Sequence, residues 1–416
     1  MSHRPDRTKR RAVMSCATLL APLTVGLTAC GGGSSDPLAS TPYDASDAVT
    51  VSAGDDDRTV NPDQPLEVTA ENGEDTLTDV FATDAAGRVL PGELSADSKR
   101  WRSTGPLAAG VRYNVQISTE NDEGAPGRRT TRFETKPEGK RLKVKLGPDS
   151  GTYGVGMPLT AELSHRVKNP GQREMIERAL KVNSNPRVEG AWHWVDSKEL
   201  HFRPRSYWPA HATVTLRSNL KGLKIRDGLY GGAARPVRMK TGDRVEAIAD
   251  ASSLVMKVKR NGKTVQSMPI TTGKAGYRTR NGIKVILAKE SFVRMTSASI
   301  GASDFYDLPV YWATRLTNSG EYVHGAPWSV GSQGVSNVSH GCTGLSSGNA
   351  RWFFDSVRQG DIVQHVNTSG ESMAPFGNGF GDWNLSWKKW RKGSAVEGDK
   401  REGATPADTA RLRPRV

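Results

Sequence analysis

The chain is poor in cysteine, with three thiols in 416 residues: Cys16, Cys30 and Cys342. It contains no Cys-x-x-Cys pair and no His-Glu-x-x-His run. His324, His340 and Cys342 are therefore not read as a zinc site, and no metal or other cofactor is expected. Long helical periodicities are few, which argues against a helical bundle. Charge is missing from Ala12 to Ala29, a mostly small and apolar run behind the basic residues Arg4, Arg7, Lys9, Arg10 and Arg11. That run is at the short end for a membrane-spanning helix and stands at the chain start, so residues 1–29 are read as an export signal.

The run ends Leu27-Thr28-Ala29-Cys30 and is followed by Gly31-Gly32-Gly33-Ser34-Ser35, which resembles the lipobox of bacterial lipoproteins. The resemblance implies cleavage before Cys30, a lipid on its thiol, and an extracytoplasmic, membrane-anchored protein. Cys16 is then discarded and Cys30 acylated, leaving one thiol in the mature chain. Exported proteins commonly pair their cysteines. A single remaining thiol is thus either a nucleophile or an inert buried side chain. The net charge of +14 falls to about +10 without the signal. Outside the membrane, the counterparts of such charge are anionic wall polymers and lipid headgroups rather than nucleic acid.

Residues 30–46 are rich in Gly, Ser, Pro and Asp and read as a flexible tether. Short alternating segments separated by turn clusters follow, such as Leu66-Glu67-Val68-Thr69-Ala70 and Tyr113-Asn114-Val115-Gln116-Ile117, and predict β-sandwiches. An internal repeat gives two copies. Asp97-Ser98-Lys99 recurs as Asp196-Ser197-Lys198, the segment 107–115 has its counterpart at 208–216, and each copy closes on a strand ending in Thr135 or Thr241. The modules are placed at 47–138 and 139–242; neither clusters catalytic residue types, and both are read as spacers. In a third domain, 243–370, Asn261-Gly262 between alternating runs predicts a type I′ hairpin, and Asn281-Gly282 repeats the signal. Ala350, Phe353, Phe354 and Val357 predict a helix capped by Ser346 or Ser347 and stopped at Gly360, then a strand over 362–366. Cys342 falls in a loop between β structure and that helix. A Trp-rich extension, 371–392, precedes a tail, 393–416, expected to be disordered. The fold class is mainly β.

The chemistry concentrates in Glu321-Tyr322-Val323-His324-Gly325-Ala326-Pro327-Trp328 and Asn337-Val338-Ser339-His340-Gly341-Cys342. A thiol is mostly protonated near neutral pH, and a histidine can take its proton and return it to a leaving amine. Glycine at 341 lets backbone amides approach an oxyanion. Ser218-Asn219-Leu220-Lys221 with Lys240-Thr241-Gly242, and Gly344-Leu345-Ser346-Ser347-Gly348, mimic serine-hydrolase motifs in the wrong context and are read as chance.

Ser339-His340-Gly341-Cys342 and His324-Gly325 resemble the signature of the L,D-transpeptidases. Pro269 to Gly273, Trp312 to Arg315, Ser319 to His324 and Ser346 to Phe354 resemble their catalytic domain. Gly381-Asp382-Trp383-Asn384 with Trp387 and Trp390 resembles the C-terminal extension of actinobacterial members, which also carry two immunoglobulin-like modules. The resemblance implies transfer on peptidoglycan. The bond between the diamino acid and D-Ala of a tetrapeptide stem is attacked, a thioester forms, and an amine of a second stem resolves it into a 3→3 cross-link. Cys342 is then the nucleophile and His324 the base. The Gly325 carbonyl orients the imidazole, and amides of Gly341 and Cys342 form an oxyanion hole. Tyr306, Ser319, Gly320, Ser339, His340 and Gly344 are the implied substrate contacts, His340 being structural or an oxyanion neighbour rather than the base. Relatives often have Ser where Gly325 stands and Asn or Arg where Gly344 stands, and the lid segment near Thr296 to Asp304 is short. An L,D-carboxypeptidase using the same site, and a wall-binding lipoprotein without activity, remain as alternatives.

Overall fold

A computed structural model describes residues 41–54, 59–71, 73, 75–137, 139–297 and 307–396. The export signal, Cys30, most of the tether, Tyr306 and all but the first residues of the predicted lid lie outside the described residues; the end of the tether is not loose, since Tyr43–Asp44 pairs as a strand with Gly127 and Arg128 and Ala45 is buried. So do residues 397–416 of the expected tail.

Alternation of buried and exposed residues builds two successive β-sandwiches. In the first, the long strands Thr76–Asp84, Arg112–Glu120 and Pro126–Thr135 face a second sheet of Val49–Val51, Glu67–Ala70, Arg100–Ser103 and Gly92–Leu94. Its core is Leu66, Val68, Trp101, Val115, Ile117 and Phe133. In the second, Leu159–Leu163 and Glu199–Pro204 centre one sheet, and Thr213–Ser218 with Val237–Thr241 centre the other. Trp192, Trp194 and Trp208 are buried in its core, at 5%, 6% and 1% exposure, so they are packing residues. One helix, Pro170–Ala179, was not expected there. Its local cues are short-range, Asn169 accepting from the Gln172 amide at 3.1 Å and Pro at the first turn.

The sequence repeat is a repeat of hydrogen bonds. Thr135 Oγ1 donates to the Ala108 carbonyl at 2.6 Å and accepts from the Val111 amide at 3.1 Å. Thr241 Oγ1 does the same with Pro209 at 2.6 Å and Ala212 at 2.8 Å. Asp97 and Asp196 each cap the turn that starts the next strand, accepting from Lys99 and Lys198 amides at 3.1 and 2.6 Å.

The third domain packs two sheets around Ala247, Met256, Ile270, Val323, Phe353 and Val363. Lys263–Pro269, Val255–Arg260, Val245–Asp250, Ile362–Val366 and Gly282–Val285 form one sheet; Ala288–Thr296, Asp307–Arg315, Tyr322–Gly325 and Thr343–Leu345 form the other. Asn261 and Gly262 both have positive φ, +50° and +83°, as the predicted turn requires. Asn281-Gly282 is no hairpin turn: Asn281 bridges Ser372 and Gly282 opens a strand. The helix Ser347–Ser356 is capped by Ser346, whose hydroxyl accepts from the Asn349 amide at 3.3 Å.

The Trp-rich extension docks on the second sandwich. Trp390 and Trp383 donate to the Ala191 and Gly156 carbonyls at 2.9 and 2.8 Å, and Arg203 stacks over Trp383 and Trp390. Residues 393–396, placed in the disordered tail by composition, continue this contact. The Gly393 carbonyl accepts from the Trp194 amide at 2.9 Å, and the Ala395 amide meets Glu177 at 2.7 Å. Short polar composition hid partners that lie about two hundred residues upstream.

Candidate active site

Register brings the histidine and the cysteine together. Tyr322–Gly325 pairs in parallel with Thr343–Leu345, with His324 beside Gly344. Side chains alternate along a strand, so Cys342, two residues before Gly344, falls on the face that His324 occupies. Gly344, beside His324, has no side chain, and His324 and Cys342 both line one cavity of about 260 Å³. Met295, Leu308, Val310 and Trp328 supply its apolar wall, the exposed Trp328 ring standing 6.0 Å from that of His324. The three-residue strand after Cys342 replaces the expected run of loop into helix.

His324 is buried, and its Nδ1 lies 2.8 Å from the Gly325 carbonyl. A carbonyl only accepts, so Nδ1 carries the proton and Nε2 keeps a lone pair. Burial lowers the imidazole pKa and the carbonyl contact only partly opposes it. The ring is a neutral base at pH 7.

Cys342 is half-buried and its thiol points to the Gly320 carbonyl at 3.5 Å. Burial pushes the thiol up to about 12; a backbone hydrogen bond from Tyr322 works against this, and Glu321 and Lys284 act in opposite senses. The resting pair is therefore neutral thiol and neutral imidazole. From a neutral pair of this kind, a sulfur can act as a nucleophile only by losing its proton in the step in which it forms a bond.

The loop that carries Cys342 is closed from within. Ser339 Oγ donates to the Cys342 carbonyl at 2.6 Å and accepts from the Gly341 amide at 3.2 Å. Thr279 Oγ1 donates to the Gly341 carbonyl at 2.8 Å. Gly341 sits at φ +115°, where an L side chain is strained although the nearest atom to an added Cβ is 3.7 Å away. The Ser339 hydroxyl is thus engaged inside the loop. To meet any other acceptor, the Gly341 amide would have to leave a long hydrogen bond.

A second cavity, about 470 Å³ and polar, opens on the other side of this loop, lined by Tyr277, Arg278, Ser319, Gly320, Gly341 and Glu371 among others. His340 borders both cavities and packs edge-on against Tyr277 at 4.6 Å. The Ser319 hydroxyl receives Arg280 at 3.1 Å and Asn378 at 2.9 Å. Gly344 forms cavity wall, its amide donating to the Thr271 carbonyl at 2.9 Å; a Cβ there would lie 2.9 Å from Thr271 Cγ2. Sequence reasoning missed Thr279 and Met295, which carry no motif, and quoted Trp328 in the key segment without giving it a place in the cavity wall.

Comparison with known proteins places these residues in a family context. A bacterial Ig domain model matches residues 57–224, spanning parts of both sandwiches, and an L,D-transpeptidase catalytic domain model matches residues 244–364. L,D-transpeptidase 2 of Mycobacterium tuberculosis is 34% identical over 401 residues, covering 94% of this chain and 97% of the relative. L,D-transpeptidase 5 of the same species is 31% identical over 337 residues, 79% of this chain and 73% of the relative. A solved structure of an LD transpeptidase in complex with imipenem is 33% identical, covers 55% of this chain and 99% of its own, and has a TM-score of 0.47.

Proposed function

This chain belongs to the L,D-transpeptidase family, acyltransferases of peptidoglycan, and from that premise we propose that Cys342 is its nucleophile and His324 its general base. Sulfur attacks the carbonyl carbon of the diamino acid preceding D-Ala in a donor tetrapeptide, while His324 Nε2 takes the thiol proton. The carbonyl electrons move onto oxygen, which faces the Cys342 amide and the Gly341 amide released from Ser339. Collapse breaks the bond to the D-Ala nitrogen, the imidazolium returns the proton to that leaving amine, and a thioester remains. The side-chain amine of a second stem then attacks the thioester and gives a proton to His324; the C–S bond breaks, and the imidazolium passes that proton to the departing sulfur, regenerating the thiol and the neutral base. The product is a 3→3 cross-link.

The observation that carries this reading is the 2.8 Å contact of His324 Nδ1 with the Gly325 carbonyl, in the cavity that also holds Cys342. It leaves Nε2 with a lone pair that can accept a proton. A carbapenem, whose strained amide acylates a thiolate, tests the assignment by intact-protein mass spectrometry. One covalent adduct is expected on the wild type and none on Cys342→Ala; an adduct retained in the variant refutes the nucleophile. A purified tetrapeptide donor with excess acceptor separates transfer from hydrolysis. Cross-linked product is expected, and tripeptide with free D-Ala alone would make the enzyme a carboxypeptidase.

The same proposal places the enzyme outside the cytoplasmic membrane, held by lipid on Cys30. The basic start, the apolar run and the small residues before Cys30 support it, as does a polymeric wall substrate. Mass spectrometry of the membrane-extracted protein is expected to find Cys30 as the first residue with lipid on its thiol. An N-terminus elsewhere, or an unmodified Cys30, would refute the anchor.

A further inference from the structure

A cluster of ionisable groups is buried behind the nucleophile loop, and the chemistry above uses none of it. Lys284, on the strand Gly282–Val285, is fully buried at 0% exposure. Its ammonium donates to the Arg280 carbonyl at 2.7 Å and to His365 Nδ1 at 3.2 Å, and meets Glu321 Oε2 at 2.7 Å as a charge contact rather than an aligned hydrogen bond. A lysine has only donors, so His365 Nδ1 accepts and Nε2 carries the ring proton. Nε2 lies 2.7 Å from Thr343 Oγ1 and donates to it. Burial, then the neighbouring Lys284 charge, keeps this imidazole neutral. On the other side, Glu321 Oε1 receives the Arg280 amide and guanidinium at 3.0 and 3.1 Å.

The two arms end on either side of Cys342. Glu321 directly follows Gly320, whose carbonyl accepts the thiol hydrogen. Thr343 directly follows Cys342 in the chain. A buried ion pair contributes little net stability compared with apolar side chains of similar size. Its location is better explained by geometry than by stability, because one ammonium fixes both the acceptor of the thiol and the residue after it.

We propose that Lys284, with Glu321 and His365 as its two arms, is a positioning centre that aims the Cys342 thiol, setting the rate of acylation rather than the affinity for the acyl donor. The proposal rests on Cys342 being the nucleophile. Lys284 touches no substrate in this scheme. It acts through Gly320 and Thr343, which hold the sulfur in line with its base and its target.

The test is the saturable kinetics of carbapenem acylation, which separates the maximal rate kinact from the half-saturating concentration KI. Wild type, Lys284→Met, Lys284→Met/Glu321→Met, His365→Ala and His365→Gln are compared, each with its thermal midpoint. A misaimed nucleophile is expected to lower kinact in K284M by about 10- to 100-fold, with KI held within about twofold. The double variant replaces the ion pair by apolar side chains and is expected to recover the thermal midpoint but stay slow. His365→Gln, which keeps an N–H for Thr343, is expected to acylate faster than His365→Ala. If K284M does not fold, the double variant and the two His365 variants carry the decision. A folded double variant acylated within about twofold of the wild-type kinact overturns the proposal, because the cluster then only fills space. Failure of the nucleophile assignment looks different: the wild type itself then forms no Cys342-dependent adduct.

Discussion

At the scale of single residues, the site begins from an uncharged pair, and that fixes how its rate depends on pH. Burial lowers the His324 pKa below its usual value of 6.5 and raises the Cys342 thiol to about 12. The reactive form, neutral imidazole with protonated thiol, is populated from just above the lowered histidine pKa to far above neutrality. Acylation is therefore expected to rise along an acid limb below pH 6.5 and to stay flat from pH 7 to about 9.5. A freely titrating thiol would instead climb with pH through the ordinary cysteine range, near 8.5. The acylation rate measured between pH 5 and 9.5 decides, and a climb between 7 and 9 would exclude the neutral pair. The residues of this pair were legible because their spacing and neighbouring glycines form a motif. Lys284 was not. In Gly282-Ile283-Lys284-Val285 a lysine between apolar residues reads as the solvent side of a strand, and only the partners Glu321 and His365, 37 and 81 positions away, make it a buried charge.

At the scale of elements, turns and caps were readable where one or two residues dictate the backbone, as at Asn261-Gly262 and Ser346. They were not readable where a partner distant in sequence decides. Asn281-Gly282 carries the same turn chemistry but is drawn into pairing with Ser372. The strand Thr343–Leu345 is too short, and too rich in glycine, to announce itself. The turn between the helix Ser347–Ser356 and the strand Ile362–Val366 is another such place, because it grips the second sandwich. The Gly154 and Gly156 amides donate to the Gln359 and Gly360 carbonyls at 2.8 and 2.9 Å. Asp361 is buried in that turn with one carboxylate oxygen on the Arg358 amide at 2.8 Å and the other without a partner. Burial raises its pKa to about 7, against opposing contributions from the Arg358 amide and nearby cations. The folded state therefore holds a proton that the unfolded chain has released above 3.8, so this carboxyl loses stability for the fold as pH climbs from about 4 to 7. Asp361→Asn keeps an oxygen for the Arg358 amide and removes the ionisation. It is expected to raise the thermal midpoint at pH 8 by a few degrees and to change it little at pH 4.5. Equal shifts at both pH values would remove Asp361 as the cause.

At the scale of the whole described chain, the C-terminal extension ties the surroundings of Cys342 to the second sandwich, and a buried ion pair closes the tie. His201 Nδ1 meets Asp382 Oδ1 at 2.7 Å and its Nε2 meets Glu199 at 2.9 Å. Burial alone would lower the His201 pKa, but the two carboxylates outweigh it and raise it to about 9. A histidine raised in this way contributes stability that is full below 6.5 and is lost as pH rises through about 9. Upstream of Asp382 in the same extension, Phe376 packs on His193 and His201, and Asn378 accepts from the Ser319 amide at 2.8 Å while donating to its hydroxyl at 2.9 Å. Ser319 leads into Gly320, the acceptor of the thiol. Composition could place a Trp-rich extension here, but neither its landing surface nor its reach to Gly320 is local in sequence. His201→Gln keeps the size of the side chain and removes the charge from beside Asp382. At pH 7 it is expected to cost about 3 kcal/mol, because the buried Asp382 carboxylate then loses its paired imidazolium and keeps only the Arg203 charge nearby. The wild type should converge on the variant as pH passes 9, since both then lack an imidazolium. If the tie also steadies Gly320, the variant acylates more slowly at pH 7, and this gap too closes above pH 9. Thermal midpoints and carbapenem acylation measured side by side from pH 7 to 10 check both. A stability difference that persists unchanged to pH 10 would show that His201 acts there as a packed ring and not as a charge.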